Sequence, residues 1–121
     1  MTARSPGETT RSRGEAAELR AIAHLQAQGY RIVRRNYRVR GGEVDVIARD
    51  GVTLCFVEVR SRATTRYGRA EETVSAAKQR RVILAARHWL AGHPFDGPCR
   101  FDVVSLHGED EITLFRDAFR T

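Results

Sequence analysis

The run Val44-Asp45-Val46-Ile47-Ala48-Arg49 is followed by Asp50-Gly51 and then by Val52-Thr53-Leu54-Cys55-Phe56-Val57-Glu58-Val59. Two β-branched, apolar segments joined by Asp-Gly are among the strongest short signals for a β-hairpin. The expected strands cover 43–49 and 52–60, with the turn at Asp50-Gly51. This hairpin also carries acids at Glu43, Asp45 and Glu58. A carboxylate buried without a partner is costly, because its charged form loses water. Either these strand ends reach the surface or something positive sits among the acids.

The segments around the hairpin complete an α/β pattern. Residues 1–13 are small and polar with no periodicity, and are expected to form a flexible basic tail ahead of one domain at 14–121. A helix is expected over 14–28, with Leu19, Ile22, Ala23 and Leu25 at helical spacing and Gly29 as a stop. Tyr30–Val39 reads as a strand interrupted near Asn36. A polar loop spans 61–72, and a second helix follows over 74–91, marked by Val82, Ala85, Ala86 and Trp89. Gly92, Pro94, Gly97 and Pro98 break the chain. Strands are then expected at Cys99–Leu106 and Glu111–Phe115. The order α-β-β-β-α-β-β predicts a mixed central sheet flanked by helices.

A net charge of +6 suggests a polyanionic partner. Lys78 is the sole lysine among 21 basic side chains. Arginine forks suit bidentate phosphate contacts, although a genome rich in G and C also selects arginine codons. No apolar run is long enough for a membrane helix and the first residues lack a secretory signal, so the expected location is cytoplasmic. Cys55 and Cys99 sit in apolar runs and read as small buried residues rather than a disulfide or metal site. The histidines offer no helical ligand pair, and the serines no evident triad partners. No zinc finger, P-loop or helix-turn-helix signature is present.

Strand side chains alternate faces, so Glu43 and Asp45 share one, as do Leu54, Phe56, Glu58 and Arg60. Asp45 is expected opposite residues 56–58, close enough to share a site with Glu58. Two adjacent carboxylates raise one pKa unless a cation intervenes. Mg²⁺ or Mn²⁺ is the natural cation, because hard divalent ions take carboxylates, water and phosphate oxygens. Such an ion supports hydrolysis of a phosphodiester. The alternative is an exposed Glu58–Arg60 ion pair worth about 0.5 kcal/mol, with Glu43 simply solvated. Arg31, Arg34, Arg35, Arg38 and Arg40 lead into the acids, and Arg60, Arg62, Arg66 and Arg69 leave them. Basic flanks around an acidic centre suit a nucleic-acid backbone; solvated strand edges that resist aggregation are the plainer account.

The stretch from Gly42 to Arg62 resembles the signature of the YraN-like bacterial family. The likeness runs upstream through Gly14–Arg38 and downstream through Tyr67–Leu90 and Cys99–Leu106. That family is similar to the restriction-endonuclease-like, or PD-(D/E)xK, superfamily, which includes Holliday-junction resolvases. The resemblance implies an α-β-β-β-α-β core. It places Asp45 on the metal-binding Asp, Glu58-Val59-Arg60 on the (D/E)xK tripeptide, and Glu18 on an acid of the first helix. A plain surface Glu is the alternative for Glu18. Arg60 departs from the usual lysine and cannot give up its proton. It would hold phosphate instead. Lys78, four residues before Val82, is a candidate for the relocated lysine, with an exposed helix residue as its alternative. The implied activity is that of a metal-dependent DNA endonuclease on branched or single-stranded DNA, acting as a homodimer if both strands are cut. A non-catalytic nucleic-acid-binding module and an interaction scaffold in DNA repair or uptake are the competing readings.

Overall fold

A computed structural model of the protein describes the backbone of residues 6–62 and 74–121, and the side chains of 14–61 and 74–121. The expected loop at 61–72 falls largely outside the described residues, and Arg66 and Arg69 with it. Arg62 is described only in its backbone. The elements run α1 (Pro6–Ala27), β1 (Arg31–Val39), β2 (Gly42–Asp50), β3 (Thr53–Arg62), α2 (Ala76–Gly92), β4 (Cys99–His107) and β5 (Glu111–Phe119). All five strands join one sheet in the order β1-β2-β3-β4-β5. β3 and β4 are parallel, connected through α2, and the other neighbours are antiparallel. Among the described residues no helix is long and apolar enough to cross a membrane.

Each helix covers one face. Against α2 pack Val44, Ile47, Leu54, Phe56, Phe101 and Val103, meeting Val82, Ala85, Ala86 and Trp89. Against α1 pack Val46, Ala48, Cys55, Val57 and Val104, meeting Ala21 and Leu25. The α2 stripe is the one its periodicity predicts. The α1 stripe differs: Leu19 is 51% exposed, and Glu18, Ala21 and Leu25 are the buried positions. Three and four residues apart, they form a single line along the helix. The helix also begins at Pro6, where residues 1–13 were expected to form a flexible tail. Proline is well placed at a first helical position, since its missing N–H would have had no partner there.

Smaller differences follow from backbone geometry. Asp50 pairs with Thr53, so the hairpin loop is Gly51-Val52, one residue later than expected. Gly51 supplies the positive φ of +61° that so tight a loop needs. β5 runs four residues beyond Phe115. Its register shifts between Phe101 and Val103, and Asp117 adopts φ +56°. This irregularity lets Phe119 stack on Phe101 at 5.0 Å. Cys55 is buried as expected, whereas Cys99 is exposed at the start of β4, and both are free thiols.

Candidate active site

The acids gather where two strands part. β2 and β3 pair from Asp50↔Thr53 as far as Val46↔Val57, and the ladder ends there. β2 stays paired with β1 down to Gly42, and β3 stays paired with β4 up to Arg62. A gap therefore opens between the first residues of β2 and the last of β3. Asp45 and Glu58 stand at its apex, one residue past the last pair on each strand. Beside the split, the Val59 amide donates to Asp45 Oδ2 at 2.8 Å.

Asp45 reaches this gap because the strands change face beside it. Arg35 meets Glu18 of α1, yet Tyr37 packs on Trp89 of α2. Residues two apart in a regular strand share a face. Asn36, with φ +51° in the left-handed region, makes the switch. On β2 the same switch falls between Val44, in the α2 cluster, and Val46, in the α1 cluster. Asp45 lies between them. Asparagine tolerates this backbone better than most residues, and its side chain is used as well: Asn36 Nδ2 donates to Glu18 Oε1 at 2.9 Å. Arg35 Nε approaches the same oxygen at 3.3 Å.

Glu58 is 2% exposed, which removes the reading of a solvated surface ion pair. Lys78 Nζ lies 3.4 Å from its Oε1, so α2 carries this lysine to the acids. Glu58 Oε2 is buried with no hydrogen-bond donor on it among the described residues. Burial and the neighbouring Asp45 carboxyl push the Glu58 pKa up to about 9, and Lys78 does not offset them. Burial and Asp45 also raise Glu18, against the opposing pull of Arg35. The pair therefore calls for more positive charge, either a proton held between the carboxyls or a cation.

These groups line one pocket of about 600 Å³, together with Glu15, Asn36, Arg38, Glu43, Val59 and Ser61. Glu43 is not simply solvated, since Arg38 and Arg81 flank it at 3.5 and 3.6 Å. Arg60 is half-buried on β3 and does not line the pocket, whose β3 contribution is Glu58, Val59 and Ser61. Arg34 is exposed on β1 with its guanidinium 5.4 Å from the Tyr37 ring, and Arg40 is exposed in the β1–β2 turn. Asn36 and Arg81 were not picked out from the sequence. The only hint of Asn36 was the break it makes in a β-branched strand.

Among the described residues no three of His, Cys, Asp and Glu converge as a ready metal cage. Glu18 thus shares the pocket without forming a three-ligand set with Asp45 and Glu58. Two carboxylates, one with an unpartnered buried oxygen, still fit Mg²⁺ or Mn²⁺, which commonly complete their shell with water and phosphate. They do not fit structural zinc, which takes four protein ligands rich in nitrogen and sulfur.

The family model for the uncharacterised protein family UPF0102 matches residues 17–106, a span from α1 to β4 that holds Glu18, Glu43, Asp45 and Glu58. The chain belongs to UPF0102. A UPF0102 protein of Dechloromonas aromatica is 52% identical over 112 residues, covering 93% of this chain and 92% of that one. Another, from Paracidovorax citrulli, is 55% identical over 115 residues, covering 92% and 84%. A third, from Nitrosomonas europaea, is 49% identical over 110 residues, covering 89% and 93%. UPF0102 membership accords with the YraN-like resemblance of the sequence. The order α-β-β-β-α-β within the matched span is the one that resemblance implies.

Proposed function

We propose that this UPF0102 protein is a metal-dependent phosphodiesterase acting on nucleic acid, with branched or single-stranded DNA as its substrate. The observation that carries the reading is the meeting of the Asp45 and Glu58 carboxyls in a split between strands, with Lys78 beside them. Asp45 and Glu58 would hold Mg²⁺ or Mn²⁺. The bound ion would supply Lewis-acid activation of water and offset charge on the phosphodiester under attack.

The protein's own groups divide the remaining work. The Val59 amide fixes Asp45 Oδ2, leaving the other carboxylate oxygen for a ligand. Lys78 orients Glu58 through Oε1 and stands at the pocket wall, where it can contact a phosphate oxygen. Glu18, Arg35 and Asn36 lock α1 to β1 and so hold the switch that aims Asp45. Arg38 and Arg40 supply backbone contacts at the rim, with Arg34 farther along β1. Backbone contacts carry no base code, which suits recognition by shape. Cutting two strands of a duplex or junction calls for two copies of the chain, one site for each strand.

The test is cleavage of branched and single-stranded DNA with Mg²⁺ or Mn²⁺, comparing wild type with Asp45→Ala and Glu58→Ala. Both variants should lose at least about 100-fold in rate, as expected when transition-state charge stabilisation is removed. Cleavage that persists unchanged in both would discard the assignment. The non-catalytic module draws on Arg60, which stands where related nucleases carry lysine. DNA binding with no cleavage, and no heat on titrating Mn²⁺, would favour it.

A further inference from the structure

We infer that Arg31 and Arg49 form a second phosphate-holding site, and that a nucleic-acid backbone runs along the edge strand β1 between it and the acid pocket. The inference rests on the nucleic-acid reading above and adds where on the molecule the strand lies. Arg31 and Arg49 face each other directly in the β1–β2 register. Like charges at opposed positions destabilise a sheet. Neither side chain forms an ion pair with a carboxylate among the described residues. The adjacent Asp50 is engaged by Arg100 and Arg116 instead.

The two arginines line a pocket of about 590 Å³ with Gly29, Ile32, Val33 and Gly51, and no acid among the described residues contributes to it. The Arg49 guanidinium lies 4.8 Å from the Phe95 ring centroid, which orients it. Its Nε is buried with no hydrogen-bond partner among the described residues. Open space faces Gly29 and Gly51, so an anion can approach the backbone there. A tetrahedral anion between the guanidiniums would relieve the repulsion and use donors that the fold leaves idle.

β1 connects the two pockets. Asn36 and Arg38 belong to the acid pocket, and Arg31 to Val33 belong to this one. Arg34 is exposed between them. From Asp45 to Arg49 is four residues of strand, about 13 Å. A stacked strand advances about 3.4 Å per nucleotide, so the sites are about four nucleotides apart.

The experiment is fluorescence anisotropy with a labelled single-stranded DNA of about 20 nucleotides, in EDTA, over a series of salt concentrations. It compares wild type with Arg31→Gln, Arg49→Gln and the control Arg87→Gln, which removes an exposed charge on α2. Arg31→Gln and Arg49→Gln should each weaken binding about 5- to 10-fold and lower the salt slope by about 1. Arg87→Gln should stay within about 2-fold, and Mn²⁺ binding by calorimetry should be unchanged in all three. Arg31 is exposed, so its variant is expected to fold even if Arg49→Gln does not. Wild-type affinity in both β1–β2 variants, or an equal loss in the control, overturns this inference alone. A wild type that binds no DNA overturns it together with the nucleic-acid reading. Capture of phosphatidylglycerol vesicles through the same arginines, without DNA binding, overturns it as well.

Discussion

At the residue scale, Glu58 is where burial and charge conflict most. Its folded pKa is pushed up to about 9 from an ordinary 4.5, chiefly by burial and then by Asp45. Between those values the folded protein holds a proton that the unfolded chain has released, so stability falls as pH rises through the window. Glu18 is raised too and adds in the same direction. In EDTA, Glu58→Gln should therefore be more stable than wild type at pH 8.5 by roughly 2 kcal/mol and close to it near pH 4.5. Urea unfolding at the two pH values measures the difference. Mn²⁺ should raise the melting temperature of the wild type and not of the variant. A variant less stable than wild type at pH 8.5 would show that Lys78 outweighs burial and Asp45 together.

The elements hold the acids in place through close contacts that leave little room for adjustment. β2 begins at Gly42, directly against α2. A Cβ there would meet the Arg81 carbonyl oxygen at 2.7 Å and the Ala85 nitrogen at 3.0 Å. Both are backbone atoms of a helix that cannot yield as a side chain would. Gly42→Ala must push β2 and α2 apart, and α2 carries Lys78. The expected cost is about 1–3 kcal/mol, read as a lower urea midpoint with an unchanged m-value. Any cleavage activity should fall further than the stability alone explains, because Lys78 and Asp45 belong to the two elements being separated. An unchanged midpoint would mean that the strand absorbs the methyl group without moving the helix.

Over the whole molecule, the middle of α1 and its C-terminal end do different work. Its middle turns line the acid pocket with Glu15, Ala17 and Glu18. Beyond its other end Tyr30 turns inward, and its hydroxyl donates to the fully buried Asp102 at 2.7 Å. Arg100 Nε and the Asp117 amide donate to the same carboxylate at 2.8 and 2.9 Å, and Arg100 continues to Asp50 at 2.7 Å. This network ties α1, β2, β4 and β5 together, and burial with the Asp102 contact raises the Tyr30 pKa. Asp102→Ala leaves buried donors without an acceptor and should cost about 3–5 kcal/mol, measured by denaturant unfolding. Mn²⁺ affinity, measured where the variant is still folded, should match wild type. A parallel loss would mean that the network and the acid pocket are mechanically coupled.

How far the sequence could be read depends on whether a feature is local. Hydrophobic period and turn chemistry act over a few residues, so the element order, the hairpin and the α2 stripe at Val82, Ala85, Ala86 and Trp89 were legible from the chain. The closeness of Asp45 and Glu58 was legible too, because a short hairpin loop sets the register between them. Leu19 misled because apolarity alone does not say which side of a helix is covered once Glu18 takes a buried place. The face switch at Asn36 and Asp45, the arrival of Lys78 and the opposed Arg31 and Arg49 depend on contacts between distant segments. By itself, then, the sequence determined which strands and helices form and which acids lie near one another. Only the tertiary structure decided where β2 and β3 part and, among the described residues, which carboxylates stay without enough positive charge and which arginines stay without acids, because each depends on what the rest of the fold brings alongside.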